Sequence, residues 1–469
     1  MNTVFRKSTL GFVTKMGQRV ITLLLCLIMC KTPITAHAGQ SRLINNPGHG
    51  GDLLAEAFEL LAEHYINELD LEQLFLAALS GMTDLLDDYT YFMPQNEAVV
   101  FIDSLSSTRL LFGIALATDS FGNVVVQEVL EDSAAIESGI AIGDIIVSLN
   151  DEDLRQATLI EIGDLLSQIP AELQVKAEFL RDGEVFSVNL ARSEVPNPSV
   201  FIYRLEDVLE HAEPDSRLRL INLTFVGENT AFELREAIEL LSEEGVERII
   251  LDLRGNGGGM FDIALEICRM MVSRGPVFMM RGRTDVLTSY HSSLAEPPFK
   301  DIVVLVDGAT ASAGEVIAAA LQDRGATVMG ETSFGKSSMQ HVFDLDVGYL
   351  RVSTHEIFGP SGMRIDKHGV VPDIEISLPK LLVHIPDEPD ILGLKKALMF
   401  LGLFEGTIDI NYDEAARYAV AAFREAEGLE PGYYIDIELT AAINTHILRL
   451  LQTGDIVLEA AYEHITNID

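Results

Sequence analysis

The sequence is poor in cysteine, and this shortage excludes a disulfide-stabilised scaffold. It has three cysteines in 469 residues, and two of them, Cys26 and Cys30, lie in an N-terminal segment that we expect to be removed. The mature chain would keep Cys268 alone, so packed cores rather than internal disulfides must stabilise it. Cys268 lies in the apolar stretch DIALEICRMM, and we interpret it as a core residue.

Positive charge is also scarce. Lysine and arginine number 33 against 72 aspartates and glutamates, which gives a formal net charge of −39. A nucleic-acid-binding protein needs a cationic surface for phosphates, so the composition predicts no nucleic-acid partner. Most of the acidic excess is expected to form a well-solvated surface, which leaves the substrate open.

Residues 1–38 contain five cations and no acidic residue. The apolar run VITLLLCLIMC follows most of the cations, and the small-x-small sequence AHA ends the segment. This order predicts a signal peptide, and hence an extracytoplasmic protein of the cell envelope, the periplasm or the medium. The run is shorter than the about 20 residues of a membrane-spanning helix. An uncleaved signal that anchors the protein in the membrane is the alternative.

Residues 330–337 match the nucleotide-binding pattern G-x-x-x-x-G-K-[ST], which would give Lys336 a phosphate and Ser337 a magnesium ion. A P-loop lysine opens a helix, whereas the segments after Lys336, HVFDL and YLRVSTHEIF, have the pattern of two strands joined at a DVG turn. An exported protein would also lack ATP. We therefore interpret the match as a coincidence, and Lys336 needs another role.

The chain after the signal divides into four regions. Residues 39–106 have helical periodicity, 107–192 consist of short strands with turn signals, 193–385 alternate strands and helices, and 386–469 are mostly helical. These patterns predict a multidomain α/β and α+β protein. In its alternating region, chemistry is expected at the carboxyl ends of the strands.

Ser312 lies where the strand DIVVLVDG turns into the helix SAGEVIAAALQD, and it is a candidate nucleophile. Ser312 and Glu315 also fit a capping box, in which the serine would only cap the helix. The nucleophile-elbow pattern G-x-S-x-G fails, because Thr310 replaces its first glycine. The sequence of this turn leaves both roles open.

The base that would activate this serine has three candidates. His341 and His355 stay open, because nothing in their spacing selects either. Lys336 follows a strand end, and a neutral amine could accept the proton if burial lowered its pKa from about 10.4. We expect burial against Phe334 and Met339 to lower it. An exposed turn lysine is the alternative.

The stretch DLRGNGGG (252–259) closes the strand RIILDL. Its glycines can direct backbone N–H groups at developing negative charge, although an ordinary tight turn is the alternative. With the serine and lysine turns, it completes three strand-end loops that each supply one component of an acyl-transfer site.

These motifs together resemble the C-terminal processing (tail-specific) proteases, which are serine–lysine peptidases with an inserted PDZ domain. The matching stretches are ELLAEHYINELD, DLLDDYTYFMP, ESGIAIGDIIVSLN, ILDLRGNGGG, VDGATASAGEVIAAALQD, GETSFGKSSMQ and GVVPDIEI. The resemblance implies that the strand-rich region 107–192 is the PDZ domain. It also implies that 39–106 and 193–385 are the helical N-terminal part and the α/β core of the protease.

The resemblance implies a role for each site residue. The nucleophile is Ser312, the general base is Lys336, and Gln340 positions the lysine. The oxyanion donors are the backbone N–H groups of Gly258 and Ala313. No metal and no cofactor are implied.

The stretch LLFGIAL resembles the PDZ carboxylate loop, with Phe112, Gly113 and Ile114 as the peptide-binding residues. Backbone N–H groups in such a loop capture the terminal carboxylate of a peptide that adds to the sheet as a strand. A plain β-turn is the alternative. The expected partners are therefore proteins or peptides with exposed C-termini.

Within 386–469, the stretch YDEAARYAVAAF followed by EGL resembles the small helical peptidoglycan-binding domain. Peptidoglycan is then a second expected partner, and a plain helical appendage is the alternative. The sequence also allows a homo-oligomer.

The sequence therefore predicts an exported serine endopeptidase that recognises protein C-termini and cleaves them through an acyl-enzyme. The rival hypothesis is a catalytically inactive PDZ scaffold at the cell wall. Gly314 and Ser337 motivate this rival, because the family usually has serine and glycine at these two positions. Peptide turnover distinguishes the two hypotheses.

Overall fold

The computed structural model describes residues 47–131, 133–170, 173–284, 286–378, 380–385 and 389–468. The predicted signal peptide, residues 1–38, lies outside the described residues. The chain forms two compact units, which divide after Leu79. None of the described helices combines the length and the hydropathy that crossing a membrane requires.

The first unit is helical, as its periodicity predicts. It contains helix α1 (Pro47–His64) and the start of helix α2 (Leu71–Thr83). The rings of Phe58 and Phe75 pack edge to face across the two helices, with their centroids 6.3 Å apart.

In the second unit, strand β1 (Tyr91–Pro94) and helix α3 (Gln95–Leu105) lead into a β-rich module. The elements of the module are β2 (Thr108–Leu111), β3 (Ile114–Thr118), β4 (Val124–Val129), α4 (Ala134–Glu137), β5 (Ile145–Leu149), β6 (Glu152–Asp153), α5 (Leu159–Ser167), β7 (Val175–Arg181), β8 (Glu184–Leu190) and β9 (Ser193–Pro196). Strands β3, β4, β5, β7 and β8 form an antiparallel sheet in that order, and β2 pairs with β9.

Two tight turns set the hairpins of this module. Gly122, between β3 and β4, has φ 87°. Asp182 and Gly183, between β7 and β8, both have positive φ, as a two-residue hairpin turn requires. Both hairpins lie in the region 107–192, where the sequence predicts short strands with turn signals.

An α/β layer follows. Its elements are β10 (Val200–Tyr203), α6 (Leu205–Val208), β11 (Leu218–Leu223), α7 (Thr230–Glu243), β12 (Arg248–Asp252), α8 (Phe261–Met271), β13 (Gly275–Gly282), β14 (Leu287–Ser292), β15 (Asp301–Val306), α9 (Ala313–Gln322), β16 (Thr327–Gly330), β17 (Ser338–Leu345), β18 (Gly348–Phe358) and β19 (Ile374–Glu375). The central sheet has the order β10-β11-β12-β15-β16-β19, and all its neighbours are parallel except β10 and β11.

The inner strands β11, β12, β15 and β16 of the central sheet are largely buried, which explains their mainly apolar sequences. In β12, Ile249 and Leu251 pack in one core with residues of α7, α8 and α9. Ile250, between them, packs in a second core on the opposite face. Alternate residues of β12 therefore contribute to two different cores, because successive side chains of a strand point to opposite faces of the sheet.

A second sheet contains β1, β18, β13 and β14 in that order, and β17 pairs with β18. Strands β17 and β18 form a hairpin that closes between Leu345 and Gly348, at the predicted DVG turn. A strand therefore follows Lys336 where a P-loop would need a helix, and the interpretation of that match as a coincidence is confirmed.

Helices α10 (Ile391–Phe400), α11 (Glu414–Ala426) and α12 (Ile437–Thr453) share a core that includes Leu398, Val420 and Ile443. The last helix, α13 (Ile456–Thr466), packs on the second face of the central sheet instead. By packing, α13 belongs with the α/β layer.

Candidate active site

Three loops meet at one edge of the central sheet, because β12, β15 and β16 are parallel neighbours and their carboxyl ends lie side by side. These are the glycine loop (253–259), the serine turn (307–312) and the lysine loop (331–337). They border a cleft of about 1000 Å³. The cleft is lined by all five residues predicted for the reaction, which are Gly258, Ser312, Ala313, Lys336 and Gln340.

Ser312 has a backbone conformation that residues with side chains rarely adopt, with φ 55° and ψ −115°. A strained strand-to-helix turn of this kind exposes its side chain at the edge of a sheet, as nucleophile elbows do. The sharp turn thus forms although the G-x-S-x-G pattern is absent. Thr310, which breaks the pattern, is fully buried, and its hydroxyl donates a hydrogen bond to Leu253 O at 2.8 Å. This bond ties the serine turn to the glycine loop.

The capping role that the sequence left open for Ser312 is half realised. Ser312 and Glu315 are placed as a capping box, and Glu315 Oε2 accepts a hydrogen bond from the Ser312 backbone N–H at 2.9 Å. Among the described residues, the Ser312 side chain itself makes no cap hydrogen bond. The carboxylate supplies the cap, and the hydroxyl stays available to the cleft.

Glu315 also joins the serine turn to the lysine loop. Its carboxylate is fully buried and accepts hydrogen bonds from Gly335 N at 2.7 Å, Lys336 N at 2.8 Å and the Ser333 hydroxyl at 2.5 Å. Burial raises the pKa of this carboxyl, while its four hydrogen bonds act in the opposite direction. Sequence reasoning saw only the cap, because the other partners lie 18 to 21 positions away.

Lys336 is partly buried in the cleft, and its pKa is lowered to about 8. Burial is the main cause, the Arg351 cation adds to it, and the Glu315 carboxylate opposes it. The Lys336 Nζ lies 4.7 Å from the centre of the Tyr89 ring. A substantial fraction of this amine is therefore neutral at mildly alkaline pH.

One of the two neighbours that the sequence predicted for Lys336 lines the cleft with it, and the other does not. Met339 lines the cleft, whereas Phe334 is 57% exposed and lies outside the cleft lining. Gly335, between Phe334 and Lys336, has φ 86°. The chain turns there, so residues adjacent in sequence do not share an environment.

Gly258 packs directly against the serine turn. It has φ 97°, and a Cβ at this position would lie 2.8 Å from Ser312 Cβ and 2.9 Å from Ala313 N. Only glycine fits this approach. The Gly258 N–H donates a hydrogen bond to Asn256 Oδ1 at 2.9 Å, so it must share or exchange that acceptor to bind an oxyanion.

Asn256 holds the glycine loop in place, and sequence reasoning missed it. It is fully buried, and its Nδ2 donates to Leu223 O at 2.7 Å. Its backbone carbonyl accepts from Ala311 N at 2.8 Å. One residue thus connects β11, the oxyanion candidate and the serine turn. The available signal was a polar side chain inside a glycine run.

Gln340 lines the cleft, but its hydrogen bonds go to other residues than Lys336. Its amide nitrogen donates to Ser338 O and Ser338 Oγ, both at 2.7 Å, and its Oε1 accepts from Arg351 Nη2 at 3.0 Å. Arg351 Nη1 also donates to the Tyr91 hydroxyl at 3.0 Å. Gln340 is thus bonded to Arg351, the cation that helps to lower the pKa of Lys336 and that the sequence did not single out.

His341 and His355 also line the cleft, with their ring centres 6.0 Å apart. Their Nδ1 atoms lie 2.8 Å and 3.0 Å from the Thr354 hydroxyl. In the described part of the chain, no hydrogen bond joins either ring to Ser312. No described hydrogen bond joins the Lys336 Nζ to Ser312 either, so hydrogen bonds alone do not choose among the three candidate bases.

The residues predicted for peptide binding lie in the β-rich module, outside the cleft lining. Phe112 is buried in the core of the module, Gly113 has φ 77°, and Ile114 opens β3. A Cβ at Gly113 would lie 2.2 Å from Ser133 Cβ. The Arg192 guanidinium lies 4.9 Å from the Phe112 ring centre. The loop is therefore tightly packed and needs its glycine.

The described residues contain no group of three or more histidine, cysteine, aspartate or glutamate side chains placed to hold a metal ion. Cys268 is buried as expected, and burial raises the pKa of its thiol to about 12, which keeps it protonated.

Comparisons with known proteins show the family of this chain. The family model "Peptidase family S41" matches residues 217–376, and the PDZ domain model matches residues 103–178. The carboxy-terminal processing protease CtpB of Bacillus subtilis is 27% identical over 437 residues, with 88% of this chain and 87% of that protein covered. The carboxy-terminal-processing protease of Bartonella bacilliformis is 30% identical over 356 residues, with 72% and 79% covered.

The chain belongs to the carboxy-terminal processing protease family. It is accordingly a serine-type peptidase with a PDZ domain and a mixed α/β fold. The solved photosystem II D1 C-terminal processing protease is 27% identical and covers 71% of this chain and 94% of its own, with a TM-score of 0.42. The family assignment does not depend on that structure.

Proposed function

We propose that this protein is an exported endopeptidase that binds protein C-termini through its PDZ domain and cleaves peptide bonds with a Ser312–Lys336 dyad. The observation that carries the proposal is the shared cleft, in which a serine on a strained turn lies with a lysine whose pKa is lowered to about 8. A serine needs a base, and a lysine acts as one only when it is neutral.

In the proposed reaction, neutral Lys336 takes the proton of the Ser312 hydroxyl as Oγ attacks the substrate carbonyl carbon. The N–H groups of Gly258 and Ala313 then stabilise the tetrahedral oxyanion. The peptide C–N bond breaks, and the Lys336 ammonium returns the proton to the leaving amine. A water molecule hydrolyses the acyl-enzyme with Lys336 again as base.

Other residues prepare this reaction. Asn256 releases or shares the Gly258 N–H as the oxyanion forms, and Glu315 keeps the serine turn and the lysine loop together. Gln340 acts on the lysine through Arg351. The loop of Phe112, Gly113 and Ile114 captures the substrate carboxylate in the PDZ domain.

The domain bounds and the location of the protein complete the proposal. Residues 1–38 serve as the export signal, 107–192 as the PDZ domain, and 39–106 with 193–385 as the protease. Residues 386–469 attach the enzyme to peptidoglycan in the cell envelope. Helix α13, the last helix of this range, packs on the protease sheet instead. The enzyme can also assemble as a homo-oligomer.

The test measures cleavage of a peptide that carries a natural, unblocked C-terminus by the wild type, Ser312→Ala and Lys336→Ala. We expect turnover by the wild type that survives chelators, and none by either variant. Full activity in either variant would refute the dyad. A wild type that binds the peptide without cleaving it would support the inactive scaffold, which Gly314 and Ser337 motivate.

A further inference from the structure

We propose that Asp455, at the start of the C-terminal helix α13, is a positioning residue for the oxyanion-binding glycine loop. It acts through its ion pair with Arg254, which belongs to that loop. The inference rests on the proposed role of Gly258, four residues after Arg254.

The ion pair has the two-pronged geometry that fixes a guanidinium in direction as well as in distance. Arg254 Nη1 donates to Asp455 Oδ1 at 2.7 Å, and Nη2 donates to Asp455 Oδ2 at 2.6 Å. The other edge of the guanidinium grips Asp252, with bonds of 2.9 Å from Nε and 2.7 Å from Nη2. Arg254 therefore bridges the end of β12 and the helix 201 residues later.

The glycine loop needs such an external anchor. Gly255, Gly258 and Gly259 all have positive φ, and glycine has little conformational preference of its own. Thr310 holds the start of the loop through Leu253 O, and Asn256 holds its middle. Arg254 adds an anchor outside the central sheet, at the point where the chain leaves β12.

Helix α13 is docked firmly enough to act as a fixed point. Leu458 and Ala461 are buried in the core on the second face of the central sheet. Arg248 donates a hydrogen bond to Ile465 O at 3.0 Å, and the Tyr462 hydroxyl accepts one from Glu213 N at 2.8 Å. The loss of the Asp455 carboxylate would therefore free the loop without releasing the helix.

Asp455 has a second role that a variant can preserve. Its Oδ1 caps α13 by accepting a hydrogen bond from Leu458 N at 3.1 Å. Asparagine caps helices about as well as aspartate. Asp455→Asn thus keeps the cap and removes the charge and one acceptor of the two-pronged pair. The matched control is Tyr462→Phe, which removes the hydrogen bond between α13 and Glu213 N. That bond involves no residue of the glycine loop.

The experiment measures kcat and KM for peptide cleavage by the wild type and both variants, each normalised to the sites that a serine-reactive phosphonate labels, with Ser312→Ala at the same protein concentration as the inactive control. It also measures the affinity of each for a peptide aldehyde, which forms a tetrahedral adduct on the serine. We expect Asp455→Asn to lower kcat roughly 10-fold, less than the about 10²–10³-fold loss of an oxyanion donor, with KM nearly unchanged. Aldehyde affinity should fall by a similar factor, and Tyr462→Phe should match the wild type in both.

Equal kcat and aldehyde affinity in Asp455→Asn and the wild type would overturn the inference, provided that Ser312→Ala is inactive. An equal loss in Tyr462→Phe would also overturn it, because helix docking alone would then explain the effect. An active Ser312→Ala would instead refute the proposed function itself, so the two failures are distinguishable.

Discussion

Among the described residues, the lysines Lys336 and Lys395 are both shielded from solvent, and the structure gives them opposite electrostatic environments. Lys395, in the C-terminal helices, is fully buried and contacts the carboxylates of Asp409 and Asp413 at 2.7 Å and 2.5 Å. Burial lowers its pKa, but the two carboxylates outweigh burial, so the pKa is raised. Lys336, in the cleft, faces the Arg351 cation, and its pKa is lowered to about 8.

The comparison shows that burial alone does not make a lysine a base. Within the described residues, no carboxylate forms an ion pair with Lys336, although the chain has 72 acidic residues. The oxygens of the nearby Glu315 carboxylate instead accept hydrogen bonds from backbone N–H groups and a serine hydroxyl. Lys395 is thus kept charged as a structural group, and Lys336 is kept ready to lose its proton.

Methionine at the two positions should separate activity from stability. Lys336→Met is expected to lower kcat/KM by about 10²–10⁴-fold, the usual contribution of a general base. Lys395→Met should leave kcat per active site unchanged but lower the midpoint of thermal unfolding, because Asp409 and Asp413 lose their buried partner. Peptide cleavage and thermal melts of both variants check this. A loss of kcat in Lys395→Met alone would reverse the two assignments.

Glu315→Gln tests whether the carboxylate organises the cleft. The amide has one acceptor oxygen for four donors, so we expect a loss of roughly 10² in kcat, as for a displacement of about 1 Å. Stability should fall by about 2 kcal/mol, which denaturant unfolding can measure. Glu315 raises the pKa of Lys336, so its loss should lower that pKa. The rise of the residual activity with pH should therefore begin at a lower pH than in the wild type. Wild-type activity and stability in this variant would exclude the role.

Arg351→Gln should move the pH dependence in the opposite direction. Arg351 lowers the pKa of Lys336, so its removal raises that pKa. The base must be neutral, and the rise of kcat/KM should therefore shift to higher pH. Tyr89 and Glu315 also face the lysine and are unchanged in this variant. Arg351→Lys keeps the cation and should keep the wild-type profile. A shift of equal size in both variants would point to packing instead of charge.

Linkage makes the stability of the protein depend on pH. The pKa of Lys336 is about 8 in the folded state and 10.5 for an unperturbed lysine. Between these values the unfolded state binds more protons, so wild-type stability rises with pH in this window. Lys336→Met should therefore be more stable than the wild type at pH 7, with a smaller difference at pH 10. A constant difference at the two pH values would contradict the lowered pKa.

The sequence alone was sufficient to predict the features that depend on neighbouring residues. The DVG and Asp182-Gly183 turns and the positions of the serine and lysine loops follow from neighbouring residues. The strained backbone of Ser312 could not be predicted, because Thr310 replaces the first glycine of the elbow pattern. The Thr310 hydroxyl holds the turn by a hydrogen bond to Leu253 O, 57 positions away in the sequence. The surroundings of Lys336 did not follow either, because Tyr89 and Arg351 come from distant elements.

The rate at which a peptide phosphonate labels Ser312, measured as a function of pH, tests the central claim most directly. Labelling reports the attack of the serine alone, without product release. We predict a single ionisation near pH 8 and a loss of labelling in Lys336→Met. An ionisation below about pH 6, typical of a carboxylate or histidine base, or undiminished labelling of Lys336→Met would contradict it.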